Sequence, residues 1–159
     1  MASLEALLTA IVYLHTRLRA PGDVLPLPVR EGRITSAYGV RSDPVHGKTR
    51  FHDGVDIAAP VGSPIRAVAS GQVIFSGYHS GYGRVLGIRH GGGVTTLYAH
   101  CWAVKVSVGD VVTSGTILGY VGDTGRATGA HLHFEVRVGG RSVDPIAALD
   151  PQQGATQRG

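Results

Sequence analysis

The stretch that decides the fold is GAHLHFEVRV, residues 129–138. Apolar and polar side chains alternate along it, and a period of two is typical of a β-strand whose faces meet different surroundings. One face carries His131, His133 and Glu135, and the other carries Leu132, Phe134 and Val136. We predict a strand over His131–Val138 whose apolar face fills the core and whose opposite face presents two imidazoles.

Short strands of this kind recur along most of the chain. From residue 33 onward, β-branched or aromatic runs alternate with glycine-rich breaks. The predicted strands are Ile34–Tyr38, Ile65–Ala69, Gln72–Tyr78, Val85–His90, Val94–His100, Lys105–Val108, Ile117–Val121 and His131–Val138. No second long helical pattern interrupts them, and the 24 glycines and 8 prolines fit many tight turns. The sequence predicts an all-β domain of antiparallel strands, built as a sandwich or a partly open barrel.

The first residues follow a helical pattern instead. Residues 3–19 repeat apolar side chains at helical spacing, and Ser3 suits the N-cap. This stretch is too short to cross a bilayer, which takes about 20 residues, and it lacks the basic start of a signal peptide. We predict a short amphipathic helix that docks on the domain or on a partner chain and ends at Pro21-Gly22.

These patterns divide the chain into three parts. The helix and the start of a linker take residues 1–22, the main domain takes 23–148, and a polar, frayed tail takes 149–159. A length of 159 residues with 43% hydrophobic side chains suits one domain with a real core.

Charge and cysteine content narrow the function classes. The formal charge of +4 suits a polyanionic partner, either nucleic acid or an envelope with anionic polymers. Basic residues are scattered, and no basic cluster interleaved with aromatics supports nucleic-acid binding. The single cysteine, Cys101, excludes an internal disulfide and a Cys-x-x-Cys metal site, so any metal must be held by His, Asp or Glu.

Histidines form three local arrangements. His52 and Asp56 lie four apart in FHDGVD and converge on one ion only if the chain turns or bulges, which Gly54 allows. His131 and His133 share a strand face. His100 ends the stretch VTTLYAHCW. One carboxylate with several imidazoles on a β-domain matches a catalytic zinc site, which uses three protein ligands and leaves a fourth position open.

Strand alternation also assigns the side chains around His100. It places His100 on the face of Tyr98, and it places Cys101 on the opposite, buried face. Tyr98 is then either a packing residue or a group that steadies the substrate.

At these motifs the sequence resembles the lysostaphin/LytM-type zinc peptidases, also called β-lytic metallopeptidases. The family pattern is His-x-x-x-Asp, a later Tyr-x-His and a final His-x-His, which stand here as FHDGVD, LYAH and GAHLHFEVR. The resemblance covers residues 33–148 and includes flanking segments such as ITSAYGVRSDPVHG and AAPVGSPIRAVASGQV.

The resemblance implies a site and a function. Zinc is expected on His52, Asp56 and His133, with His100 and His131 beside it as catalytic residues. The implied fold is an antiparallel β-sheet domain with a narrow groove over the metal, and the implied activity is cleavage of peptide bonds in bacterial peptidoglycan. Such an enzyme acts at the cell envelope, whether periplasmic, extracellular or phage-delivered, although no signal peptide is visible.

Two departures from the family pattern concern packing and substrate preference. Cys101 replaces a usual leucine after the Tyr-x-His motif. Arg84 stands after Gly-Tyr-Gly, where relatives commonly have asparagine, so a groove wall is expected to differ.

Several assignments have alternatives. Glu135 either orients a histidine ring or pairs with Arg137, and Arg41 either lines the groove or forms a structural ion pair. His46 and His90 are expected in turns or at the surface, and His15 and His79 away from the site. A cysteine peptidase using Cys101 is disfavoured because adjacent strand residues face opposite ways. A catalytically silent wall-binding or hydrolase-activating module of the same fold is the other alternative.

Overall fold

The computed structural model describes residues 3–15, 24–42 and 46–152. Helix α1 spans Leu4–Leu14, and the Ser3 side chain accepts a hydrogen bond from the Ala6 amide at 3.1 Å, which confirms the predicted N-cap. The helix ends with His15 as C-cap, earlier than predicted. Pro21-Gly22 and the last residues of the predicted tail lie outside the described residues.

Thirteen strands and one further short helix, joined by turns and loops, follow in the described residues. The strands are β1 (Arg33–Ser36), β2 (Gly39–Ser42), β3 (Thr49–His52), β4 (Val55–Ala58), β5 (Pro64–Arg66), β6 (Gly71–His79), β7 (Gly83–Gly91), β8 (Val94–Ala99), β9 (Cys101–Val104), β10 (Val111–Val112), β11 (Ile117–Val121), β12 (His131–Val138) and β13 (Arg141–Val143). Helix α2 (Pro145–Leu149) follows, with Asp144 as N-cap and proline in its first turn.

All strand pairs in these residues are antiparallel, as predicted. The largest sheet runs β1-β4-β12-β8-β7-β6-β10, and β13 also pairs with β12. A three-stranded sheet, β5-β11-β9, and the hairpin β2-β3 complete the fold. Strand β12 is central because β4 flanks one side of it and β8 the other, which places His133 opposite Asp56 and Ala99.

The core lies on one face of the large sheet. On β12, Leu132, Phe134 and Val136 are fully buried, which confirms the predicted apolar face. The same buried cluster includes side chains of β5, β11 and both helices. The opposite face of β12 carries His131, His133 and Glu135. Because side chains alternate along a strand, burial of the apolar face determines that these three residues point towards the candidate site.

Helix α1 docks on the domain itself. Its inner face, Leu7, Ala10 and Leu14, is buried in the main cluster with Leu149 of α2. Its outer face leaves Leu4 and Leu8 more than half exposed. Neither helix in the described residues is long and apolar enough to cross a membrane.

Several strand predictions differ from the structure. The predicted strand Lys105–Val108 is wrong, because the chain pairs with β11 earlier, over Cys101–Val104, and then turns at Gly109. The short strands β2, β3, β4, β10 and β13 were not predicted. In β2 to β4 the alternation is interrupted by charged residues and by the break at Asp53-Gly54, whereas β10 and β13 have only two and three residues.

Candidate metal centre

Three side chains predicted as ligands meet on the face of β12 that lies opposite the main core. His52 ends β3, Asp56 lies in β4, and His133 lies in β12. The Asp56 Oδ1 atom is 3.2 Å from His52 Nε2 and 3.0 Å from His133 Nδ1, and the two ring nitrogens are 3.3 Å apart. In the described residues, no other group of three or more His, Cys, Asp or Glu side chains is placed to hold a metal ion.

The spacing of these atoms fits a tetrahedral ion. Zinc bound at about 2.0–2.1 Å holds neighbouring tetrahedral ligand atoms about 3.3–3.4 Å apart. The three observed separations are within a few tenths of an ångström of that value. The donor set, two imidazoles and one carboxylate, is also one that zinc accepts.

Gly54 brings the two halves of the first motif together by a close approach to β12. A Cβ atom at this position would lie 2.3 Å from the Phe134 carbonyl oxygen and 3.0 Å from His133 Cε1. The glycine is therefore required for space, whereas its φ lies outside the left-handed region. The predicted turn between His52 and Asp56 is present at Asp53-Gly54.

The outer nitrogen of each ligand ring is held by the protein. His52 Nδ1 donates to the Ala37 carbonyl at 2.9 Å, and His133 Nε2 donates to Glu135 Oε2 at 2.7 Å. In the neutral rings these bonds place the hydrogen on the outer nitrogen, so His52 Nε2 and His133 Nδ1 are the nitrogens that can bind an ion at the shared position. Metal-binding histidines almost always have such partners.

His100 and His131 lie beside this centre and are oriented in the same way. His100 Nδ1 donates to the Thr124 carbonyl at 2.7 Å, and His131 Nδ1 donates to the Gly129 carbonyl at 2.9 Å. Their ring centroids are 4.8 Å apart, and His131 Nε2 is 3.8 Å from Asp56 Oδ1. In the neutral form of each ring, Nε2 therefore carries the lone pair and can accept a proton.

The predicted face of His100 is wrong. Strand β8 ends at Ala99, and His100 has a φ of 63°, the one positive φ at a described residue other than glycine. This left-handed residue breaks the alternation and turns its ring to the site, while Tyr98 and Cys101 enter the main core. Tyr98 is completely buried and donates or accepts only within the core, so it is a packing residue.

Electrostatics couple the ligands. Burial opposes ionisation of Asp56, but hydrogen bonds with His133 and His52 outweigh it and hold the pKa of Asp56 well below its usual range. Burial disfavours the charged form of His133, but hydrogen bonds to Asp56 and Glu135 outweigh it and raise its pKa to about 9. Without an ion between the groups, a proton on His133 balances the carboxylates, so metal binding displaces that proton.

The pKa of His100 shifts in the other direction. Burial lowers it, and the neighbouring His131 and His133 lower it further, against the hydrogen bond to Thr124. His100 is therefore kept neutral, the state in which its Nε2 can accept a proton.

Glu135 makes both of the contacts that were predicted as alternatives. Its Oε2 accepts from His133, and its Oε1 accepts from Arg137 Nε at 2.6 Å. Tyr82 was not predicted to take part, yet its hydroxyl donates to Glu135 Oε2 at 2.8 Å. Burial and this hydrogen bond raise the pKa of Tyr82 to about 12. The only sequence signal for Tyr82 is its place between two glycines, Gly81 and Gly83.

The remaining predicted histidines lie away from the centre. His46 and His79 are exposed. His15 is the C-cap of α1, and its Nε2 separately donates to the Ala148 carbonyl. His90 is half-buried in β7, which corrects the expected surface position. Its Nδ1 donates to the Ser70 carbonyl, and its Nε2 contacts Thr96 Oγ1.

The two arginines discussed from the sequence are both exposed. Arg41 donates to the Ser36 hydroxyl, and Arg84 donates to the Trp102 carbonyl at 3.2 Å. The Arg84 amide also binds the Thr124 hydroxyl, so Arg84 shares a loop contact with the residue that orients His100.

Known proteins match this chain in both sequence and structure. A family model described as peptidase family M23 matches residues 50–145. DD-carboxypeptidase/endopeptidase Mpg of Neisseria meningitidis serogroup B is 45% identical over 130 residues, covering 82% of this chain and 30% of that protein. Peptidoglycan DD-endopeptidase ShyB of Vibrio cholerae is 39% identical over 117 residues, covering 73% of this chain and 28% of that protein.

A solved structure agrees with these matches. The crystal structure of a zinc-containing peptidase from Vibrio cholerae aligns with a TM-score of 0.73 at 36% identity, covering 79% of this chain and 40% of that one. The chain spans about 30% of the length of the curated relatives it matches first. The matched residues include all five of the predicted site.

Proposed function

The chain belongs to peptidase family M23, and from that premise we propose that it is a zinc-dependent endopeptidase that hydrolyses peptide bonds in bacterial peptidoglycan. The proposed catalytic domain is residues 23–148. The observation that carries the proposal is the convergence of His52, Asp56 and His133 at the spacing of a tetrahedral ion.

We assign the ion to these three side chains. A zinc ion held there supplies a Lewis acid that polarises the scissile carbonyl and makes water nucleophilic near neutral pH. The protein contributes ring orientation, because Ala37 and Glu135 fix which nitrogen of each histidine faces inward. The absence of a His-Glu-x-x-His motif leaves the proton transfers to histidine.

His100 and His131 are the proposed catalytic residues. In each ring Nδ1 donates to a backbone carbonyl, which leaves Nε2 of the neutral ring as the proton acceptor beside the ligand cluster. One of the two rings therefore accepts the proton of the attacking water. Once protonated, that Nε2 donates a hydrogen bond to the developing oxyanion or passes its proton to the leaving amine. The second ring completes the polar wall of the site.

The proposed substrate class follows from the family and from charge. ShyB, a relative with 39% identity, is named a peptidoglycan DD-endopeptidase. A net charge of +4 suits a wall that carries anionic polymers, and it raises the local concentration of such a substrate. The proposed place of action is therefore the cell envelope, and nucleic acid is not a proposed partner.

The direct test measures peptides released from peptidoglycan of defined stem and cross-bridge. Mass spectrometry should detect new peptide termini with the zinc-loaded chain, none after a chelator, and recovery when zinc is returned. Cleavage that persists in chelator would contradict a metal mechanism. Zinc binding without any cleavage would favour the catalytically silent module.

Variants separate ligands from catalytic residues. Replacing His52, Asp56 or His133 by alanine should abolish both zinc binding and cleavage. His100→Ala and His131→Ala should keep zinc and lose about 10²–10³ in rate, the typical cost of one group that stabilises a transition state. If the His133 variant kept zinc in full, the ligand assignment would be wrong.

A partner chain at α1 remains a separate prediction. The inner face of the helix packs within the domain, and the outer face exposes the apolar side chains of Leu4, Leu8 and Val12. Sedimentation of the wild-type chain and of Leu8→Glu tests it, because a partner contact through this stripe would be lost in the variant.

A further inference from the structure

Glu135 is the single acidic side chain in the described residues that is completely buried. An ionised carboxylate is costly to bury unless strong partners surround it. Three donors do so: His133 Nε2 and the Tyr82 hydroxyl on Oε2, at 2.7 and 2.8 Å, and Arg137 Nε on Oε1, at 2.6 Å. The carboxylate is therefore the meeting point of one proposed ligand, one phenol and one guanidinium.

Gly54 packs against the side chain of Glu135. A Cβ atom on Gly54 would lie 2.9 Å from Glu135 Cγ and 3.0 Å from His133 Cε1. The turn that joins β3 to β4 thus packs directly on the Glu135–His133 pair. The same turn carries His52 at one end and Asp56 close to the other, so the carboxylate lies under the segment that delivers two of the three ligands.

All three partners of Glu135 are hydrogen-bond donors, so both of its side-chain oxygens must act as acceptors. An ionised carboxylate accepts from all three donors, whereas a glutamine in its place presents an NH₂ group to at least one of them. The contact with His133 Nε2 also keeps a hydrogen on that nitrogen, so Nδ1, which faces Asp56 Oδ1 and His52 Nε2, is the nitrogen available to an ion.

We propose that Glu135 is a positioning residue for the metal ligand His133, held in place by Arg137 and Tyr82, and that it sets the affinity of the centre for its ion. This inference rests on the proposed metal site. It assigns Arg137 and Tyr82 a role at the centre although neither of them is a ligand. A purely structural Glu135–Arg137 ion pair would make a different prediction, because it would stabilise the fold without changing metal affinity.

The experiment is a zinc titration of the full chain, stripped of metal, in competition with a chromogenic chelator. Glu135→Gln should bind zinc about 10–100-fold more weakly than wild type, the usual effect of losing the partner of a ligating histidine. Glu31→Gln, which changes an exposed carboxylate, should bind as wild type does. Tyr82→Phe keeps the carboxylate and removes one donor, so its loss should be smaller, about 2–10-fold.

Unfolding of the metal-free variants by urea is measured in parallel, so that stability is separated from affinity. If Glu135→Gln is less stable but binds zinc as tightly as wild type, Glu135 is structural and the inference is overturned. If Glu135→Gln does not fold, Tyr82→Phe decides, and unchanged zinc affinity in that variant overturns the inference. If the wild type itself binds no zinc, both the proposed metal site and this inference are wrong.

Discussion

Replacing Gly54 by alanine should damage the metal centre without touching any ligand. The new Cβ would sit 2.3 Å from the Phe134 carbonyl oxygen, where ordinary contact begins at 3.4 Å. Because the clashing atom belongs to the backbone of the central strand β12, which cannot easily shift, the turn at Gly54 must move away by about 1 Å. Because His52 and Asp56 flank that turn, both would move away from His133.

We expect two effects of this change. Overpacking should cost about 1–3 kcal/mol in the free energy of unfolding of the metal-free chain, measured by urea denaturation. Separation of the ligands should weaken zinc binding about 10–100-fold, measured by competition with a chelator, which is the loss seen when the support of a ligand is disturbed. Cleavage at limiting zinc should fall in parallel.

Gly77 provides the matched control for Gly54. It lies in β6, a Cβ added there would meet no atom within 4 Å, and its backbone is not left-handed. Gly77→Ala should therefore change neither zinc affinity nor cleavage. Zinc binding by Gly54→Ala at wild-type affinity would refute the reasoning, since the ligand separations would then not depend on the close approach of this turn to β12.

Three further predictions concern residues outside the ligand set. Burial raises the pKa of Cys101 to about 12, so iodoacetamide at about pH 8 should label the thiol only after denaturation, and inactivation by labelling of the native chain would revive the cysteine-peptidase alternative. Leu7→Ala should cost about 2–5 kcal/mol of unfolding free energy, against about 0.5 kcal/mol or less for the exposed Leu8→Ala, and equal losses would contradict the docking of α1. Burial lowers the pKa of His90 below its ordinary 6.5, so the unfolded chain binds a proton first as the pH falls and stability is lost below pH 6.5. His90→Gln should flatten that slope by up to about 1.4 kcal/mol per pH unit, and an unchanged slope would contradict the assignment.

The sequence predicted the elements whose pattern is set locally. Strands β11 and β12 begin and end at the predicted residues, because strict alternation over β12 leaves one register that buries its apolar face. Ser3 was predicted as N-cap from residue type alone. The ligand set needed the family resemblance, because His133 lies 77 residues beyond Asp56 and no local pattern joins them.

Other features of the site have no local signature. Alternation placed His100 on the wrong face, because its left-handed conformation depends on loops that come from elsewhere in the chain. The Thr124, Gly129 and Ala37 carbonyls that orient three of the rings are backbone atoms, which any residue type supplies. Tyr82 acts through Glu135, 53 residues away, so only the folded chain reveals the contact.

Close backbone approach at glycines helps to place the residues around this centre. Gly83 and Gly125 touch so closely that a Cβ on Gly83 would lie 2.4 Å from the Thr124 carbonyl carbon. That contact holds the carbonyl to which His100 donates, just as Gly54 holds the turn that carries His52 and Asp56. The geometry of the proposed zinc site thus depends on close backbone contacts at Gly54 and Gly83 as well as on the Glu135 carboxylate that binds His133.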